Sequence, residues 1–214
     1  MQGATTATAP RRRYRGMAAD ERRSEQRARI VAAARDAFAA RGFAVTSIED
    51  IVAGARVSRT TFYRHFDTKE DCLLAVFSEG CTRLLDALRE VAADEGLTPD
   101  RKVRKAVERF VATLAADQAM ARVVLVEAVG ATPRAERQRA HARVEFAAVI
   151  EGELRKVDYW RARPTAEREL VAMATMAAVA EPVTHLVALR RLGEWRSVVR
   201  PLADLALRAL SPPS

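Results

Sequence analysis

The first regular apolar rhythm begins at about Ser24. Ile30, Val31, Ala34, Ala37 and Phe38 recur at three- and four-residue steps until Gly42 interrupts them, the pattern of a helix with one buried face. A shorter stripe of Ile48, Ile51 and Val52 follows the run "TSIED". There Thr46 is placed to cap a helix and Glu49 to complete a capping box. This second helix is expected to end near Gly54 and Ala55. Ser58 then offers a cap for a third short helix carrying "VSRTTFYRHF", Val57 to Phe66. Three helices, the last two short and closely joined, give a helix-turn-helix outline.

Downstream the helices lengthen. One is expected from Thr68 to about Ala93, before Gly96. Thr98-Pro99 and Thr132-Pro133 open two more, with Thr as cap and Pro in the first turn, where its missing N–H is harmless. A further helix from about Asp117 to Val129 lies between them. Pro164-Thr165 starts a long Ala- and Met-rich helix reaching Leu192, which Pro182 should kink. A last helix, Glu194 to Leu210, stops at "SPPS". No window alternates as a strand does. The chain therefore reads as all-α with about nine helices: an N-terminal three-helix helix-turn-helix domain, then a C-terminal helical domain.

Composition agrees, with only nine Gly and eight Pro in 214 residues. Charge adds a direction. Residues 1–70 hold 14 Lys and Arg against 8 Asp and Glu, whereas residues 71–214 hold 22 against 20. Most of the net +8 thus sits on the first third, which suits an anionic partner at that end. The first twenty residues are polar, carry Arg11, Arg12, Arg13 and Arg15, and have no acid before Asp20. They read as a disordered basic arm, with Met17 as a second possible start. The expected divisions are 1–20 for the arm, 21–67 for the helix-turn-helix domain and 68–214 for the rest. No apolar run approaching the ~20 residues of a membrane span stands out, and the N-terminus lacks an apolar signal region, so no membrane and a cytoplasmic location are expected.

On a helical wheel, Arg59, Thr60, Tyr63 and Arg64 fall in one arc, opposite Phe62. Phe62, with Val57 and Phe66, is placed to anchor this short helix on Phe38, Ile48 and Ile51. The other arc has no core to enter, and no acid occurs between Asp50 and Asp67. An acid-free donor face on a helix too short to stand alone suits a DNA major groove. Arginine bonds guanine O6 and N7, a threonine methyl meets the thymine methyl, and the Tyr63 phenol suits a phosphate. A solvated amphipathic face is the alternative.

Residues 46–77, "TSIEDIVAGARVSRTTFYRHFDTKEDCLLAVF", resemble the helix-turn-helix of the TetR family of bacterial transcriptional regulators. With the first helix, the likeness covers about residues 24–77. It rests on Thr46, Ile51, the "VS" before the third helix, Tyr63-Arg64-His65-Phe66, and Lys69. Two positions depart from the family pattern. Arg56 stands where Gly commonly precedes the Val of the turn, and Thr60 stands where Gly is common. The resemblance implies that Thr46 and Lys69 hold DNA phosphates, as do Tyr63 and His65. It also implies that Arg59, Thr60, Thr61 and Arg64 read bases beside the capping Ser58. His65 packing under the helix is the alternative for that residue.

The resemblance further implies a homodimer on a palindromic operator, a small-molecule pocket in the C-terminal domain, and repression relieved by the effector. The small residues of "ELVAMATMAAVAEPVTHLVALRRL" and the stripe of "VVRPLADLALRAL" suit a four-helix dimer interface built from the last two helices. Candidate pocket residues are Phe77, Phe110, Met120, Leu125, Glu127, Phe146, Trp160, Met173, Met176 and His185, with plain core as the alternative for each. No phosphate loop, HExxH or nucleophile elbow suggests an enzyme. Cys72 and Cys81 would lie about 13.5 Å apart on one helix, too far for a disulfide, and no pattern suggests a metal or cofactor.

Overall fold

The computed structural model describes residues 11–211; residues 1–10 and 212–214 lie outside the described part. Ten α-helices form it, without strands among the described residues. Helix α1 spans Arg11–Arg41, α2 Ile48–Ala55, α3 Arg59–Tyr63 and α4 Lys69–Ala93. They are followed by α5 (Pro99–Ala116), α6 (Gln118–Arg122), a π-helical turn (Val123–Glu127) and α7 (Pro133–Leu154). Last come α8 (Asp158–Arg161), α9 (Thr165–Ala188), a 3-10 turn (Leu192–Glu194) and α10 (Trp195–Leu210).

Two expectations about the ends change. The first helix begins at Arg11 and not near Ser24, so residues 11–20 of the expected disordered arm have helical backbone. Arg, Met and Ala, good helix formers, fill most of that stretch, against Tyr14, Gly16 and Asp20. The long helix predicted to Leu192 ends at Ala188, and the last turn before α10 is 3-10. The four-residue α8 is too short to show a periodicity.

The chain packs around two main cores. The first joins Ile30, Phe38, Ile51, Phe62 and Phe66 to Cys72, Leu73 and Val76 of α4, and also draws in Val123 and Ala135. The second gathers Phe77, Leu84, Val111, Leu114, Met120, Val183 and Leu202 from α4, α5, α6, α9 and α10. Helix α4 therefore enters both cores, and the helix-turn-helix core is completed by residues beyond 67. Cys72 and Cys81 are buried thiols, and burial pushes both up to about 12.

A third small cluster, with Leu154, Trp160 and Ala172, closes the far end. There the buried Arg168 guanidinium binds Glu151 at 2.8 Å and the Arg163 carbonyl at 2.5 Å, so the charge is both paired and hydrogen-bonded, as burial demands. Helix α9 packs on α7 and α10. By length and composition alone it is also long and apolar enough to cross a membrane, contrary to the reading above. Its best window has a hydropathy of 1.5, and 28% of that window is buried.

Close packing of α4 on α6 and the π-helical turn depends on Gly80. A Cβ there would lie 2.5 Å from Val124 Cγ2 and 2.9 Å from Met120 Sδ. At Gly152, within α7, a Cβ would meet nothing within 4 Å. Alanine gains about 1 kcal/mol of helix propensity at either site, but overpacking costs about 1–3 kcal/mol. Thermal unfolding should therefore shift in opposite directions, with Gly80→Ala lowering Tm and Gly152→Ala raising it by a few degrees.

Candidate nucleic-acid interface

The run "TSIED" contains two overlapping capping boxes, and burial selects the second. Ser47, not Thr46, is the N-cap of α2: its hydroxyl accepts from the Asp50 amide, and the Asp50 carboxylate accepts from the Ser47 amide at 2.9 Å. The Ser47 amide, the Ser47 hydroxyl and Arg41 hold the Asp50 carboxyl down at about 2. Thr46 is only 1% exposed and donates its hydroxyl to the Gly42 carbonyl at 2.7 Å. It faces inward, which corrects the expectation of a cap and leaves no free hydroxyl for a phosphate.

The turn between α2 and α3 resolves the question raised by Arg56. Its backbone is left-handed, with φ 52 and ψ 49, at the C-cap of α2. A non-glycine residue there costs about 1–2 kcal/mol. Gly54 stays in the helix, where a Cβ would come within 3.3 Å of Ala33. Its lack of a side chain lets α2 lie close on α1.

Ser58 caps α3, accepting from the Thr61 amide at 3.1 Å and pairing with the Thr61 hydroxyl at 2.9 Å. Phe62 is fully buried, with the tilted ring of Phe66 behind it at 6.0 Å. Arg59, Thr60, Tyr63 and Arg64 are exposed together, as the wheel predicts. Thr61 is half-buried and spends its hydroxyl beside the cap, so its part in reading bases is reduced. His65 is also half-buried. Burial and then the charges of Arg23, Arg27 and Arg64 hold its imidazole below the ordinary value.

The face is not free of acid. Glu49, at the start of α2, reaches across the turn and ion-pairs with Arg59, whose guanidinium also donates to the Tyr63 phenol at 3.3 Å. The phenol and Glu49 raise the Arg59 pKa. With Arg59 and Glu49 61% and 60% exposed, the pair is well solvated, and such pairs add little stability. Lys69 is differently placed from expectation. Its ammonium donates to the Phe43 carbonyl at 2.8 Å and the Ala44 carbonyl at 3.2 Å, and lies 4.6 Å from the Phe43 ring centre. It ties the start of α4 to the α1–α2 turn and keeps one N–H for another acceptor.

Of the ten pocket candidates, five gather at the second core and the others lie apart from it. Phe77 and Met120 fill the second core, while Phe110, Leu125 and Phe146 pack on its edge. Trp160 lies in the distant third cluster, its Nε1 donating to the Leu210 carbonyl at 2.7 Å. Met173 and His185 are exposed and Met176 is half-buried. Glu127 pairs with Arg122 at 3.1 Å and accepts the Phe43 amide at 3.1 Å. Two recesses, of about 440 and 260 Å3, are lined by other residues.

An all-helical chain that presents a short, buried-anchored helix after a tight turn is a helix-turn-helix protein. Residues 30–76 match the family described as "Bacterial regulatory proteins, tetR family". The HTH-type transcriptional repressor Rv3405c of Mycobacterium tuberculosis is 43% identical over 70 residues, 33% of this chain and 37% of that protein. The chain thus spans well under half the length of that curated relative. A TetR-like transcriptional regulator from Rhodococcus sp. RHA1 shares the fold with a TM-score of 0.70 at 24% identity, over 88% of this chain and 97% of its own. The regulator FadR from Bacillus subtilis, solved with stearoyl-CoA, has a TM-score of 0.74 at 19% identity, over 85% and 97%.

Replacing Arg56 with glycine should remove the left-handed strain while leaving the exposed face intact. After the unfolded-state entropy that glycine adds, a net gain of about 0.5–1 kcal/mol is expected. Chemical denaturation should show a higher midpoint at unchanged slope.

Proposed function

We propose that the protein is a homodimeric DNA-binding transcriptional regulator, acting as a repressor on a two-fold symmetric operator and released by a small molecule. The observation that carries this reading is the exposed set of Arg59, Thr60, Tyr63 and Arg64 on α3, held by the buried Phe62, within the region that matches the family. Arg59 and Arg64 are suited to base edges in the major groove, Thr60 to a thymine methyl, and Tyr63 to a phosphate. Ser58 and Thr61 stand at the entry of α3. The remaining N–H of Lys69 and a ring N–H of His65 would add phosphate contacts. A repressor role follows the role named for the Mycobacterium tuberculosis relative, and a cytoplasmic location follows from work on DNA.

The Arg59–Glu49 pair gives this face a self-competing contact. DNA must displace Glu49, and the exposed pair yields cheaply. Glu49→Gln should raise affinity for every duplex a few-fold, most at low salt, because it removes a negative charge near the phosphates. Arg59→Ala should lose roughly tenfold discrimination at one or two base pairs. Both are read by fluorescence anisotropy, using a site selected from a random duplex pool and a scrambled control. Equal losses on both duplexes from Arg59→Ala would remove Arg59 as a base reader, and a selected consensus lacking two-fold symmetry would remove the dimeric operator.

Dimerisation is supported by α9. Leu170, Met173, Ala174 and Ala177 form an exposed row, with Leu170 68% and Met173 42% exposed, while the opposite side packs on α7 and α10. A row of small and apolar residues this long suits close helix pairing better than water. In the dimer, the two α3 helices would sit about 34–36 Å apart to meet successive major grooves, and an effector would act only through its differential affinity for two spacings. Sedimentation should give a dimer at micromolar concentration, and Met173→Glu with Ala177→Arg should give a helical monomer. A monomeric parent protein would overturn this part.

A further inference from the structure

A cleft of about 260 Å3 opens where the two halves of the molecule meet. Ala39 at the end of α1, Ala119 of α6, Val187 of α9 and Leu192 give it apolar walls. Arg122 and Arg190 give it two cations. Arg190 occupies a left-handed backbone conformation, φ 56, which costs a non-glycine residue about 1–2 kcal/mol. There it donates to the Ala39 carbonyl at 3.3 Å, and no carboxylate pairs with it among the described residues. Arg122 lies 3.1 Å from Glu127, yet its Nε–H is buried and misaligned, without a hydrogen-bond acceptor.

Two guanidinium groups line the cleft, only one of them paired with a carboxylate, and the remaining wall is aliphatic apart from Gln118. A planar carboxylate matches a guanidinium with two parallel hydrogen bonds, and an apolar body would fill the rest. The volume lies just under the usual range for ligand sites, so the occupant is small.

The same groups hold the α1–α2 turn. Glu127 shares its carboxylate between Arg122 and the Phe43 amide, and Arg190 holds the last turn of α1 through Ala39. A carboxylate that engages Arg122 and Arg190 competes with both ties. We propose that this cleft binds a small monocarboxylate, gripped by Arg122 and Arg190, and that its binding loosens the α1–α2 turn. Binding is independent of the DNA-binding reading; only its regulatory consequence rests on that reading.

The test uses the full chain without DNA. Monocarboxylates from acetate to octanoate, and benzoate, are titrated by calorimetry against their primary amides. At least one carboxylate should bind saturably where its amide does not. Arg190→Gln should weaken that binding roughly tenfold or more, and Arg190→Lys should restore part of it. Because Arg190 is exposed and keeps its backbone in each variant, circular dichroism should show the fold unchanged. Hydrogen exchange at the Phe43 amide should speed up when the cleft is filled. Equal binding of acids and amides, no binding of any acid, undiminished binding in Arg190→Gln, or unchanged Phe43 exchange in the loaded protein would each overturn the proposal. If all hold and operator affinity stays unaltered, the regulatory reading fails while the site stands.

Discussion

Everything at the exposed face depends on burying one phenylalanine. Helix α3 has five residues, far fewer than a helix needs to persist alone in water. It exists because Phe62 is fully enclosed by α1, α2 and α4, and because Ser58 satisfies its first turn. With the backbone fixed from beneath, Arg59, Thr60, Tyr63 and Arg64 have no core to enter and stand outward as a set. The same burial lets the chain tolerate a left-handed Arg56: the core over-determines the turn and the strain is absorbed.

A second constraint gathers on the α1–α2 turn. Lys69 binds its carbonyls from α4, Glu127 accepts its Phe43 amide from the π-helical turn, and Arg190 grips the end of α1 from beyond α9. The first core also takes in Val123 and Ala135. The N-terminal helices are thus not a separate bead on a tether. Hydrogen bonds and packing join them to α6 and the π-helical turn, the kind of contiguous contact through which coupling travels.

Most of the scaffold was legible because it depends on local rules. Apolar spacing located α1, α2 and α10, and the Thr-Pro pairs marked the starts of α5 and α7. The wheel sorted the α3 residues into anchor and outer face, as found. The failures involve partners distant in sequence or a choice between adjacent equivalents. Thr46 and Ser47 head equally good capping boxes, and only burial of Thr46 against α1 decides between them. Glu49 lies ten residues from Arg59, so the face looked free of acid. Lys69 and Glu127 looked available for ligands until the fold brought Phe43 between them. The bulky residues chosen as pocket walls were chosen by size, and size alone does not separate a packed core from a cavity lining.

The sequence alone determined the all-helical class, the helix-turn-helix, the TetR likeness and the concentration of positive charge on the first third, since periodicity, capping and composition are carried by neighbours along the chain. Tertiary structure decided which donors remain outward, which are tied to carbonyls, and that two arginines meet across a cleft between the halves. These outcomes depend on residues such as Ala39, Arg122 and Arg190, which are far apart in the chain and become neighbours only when burial of the two cores draws the helices together.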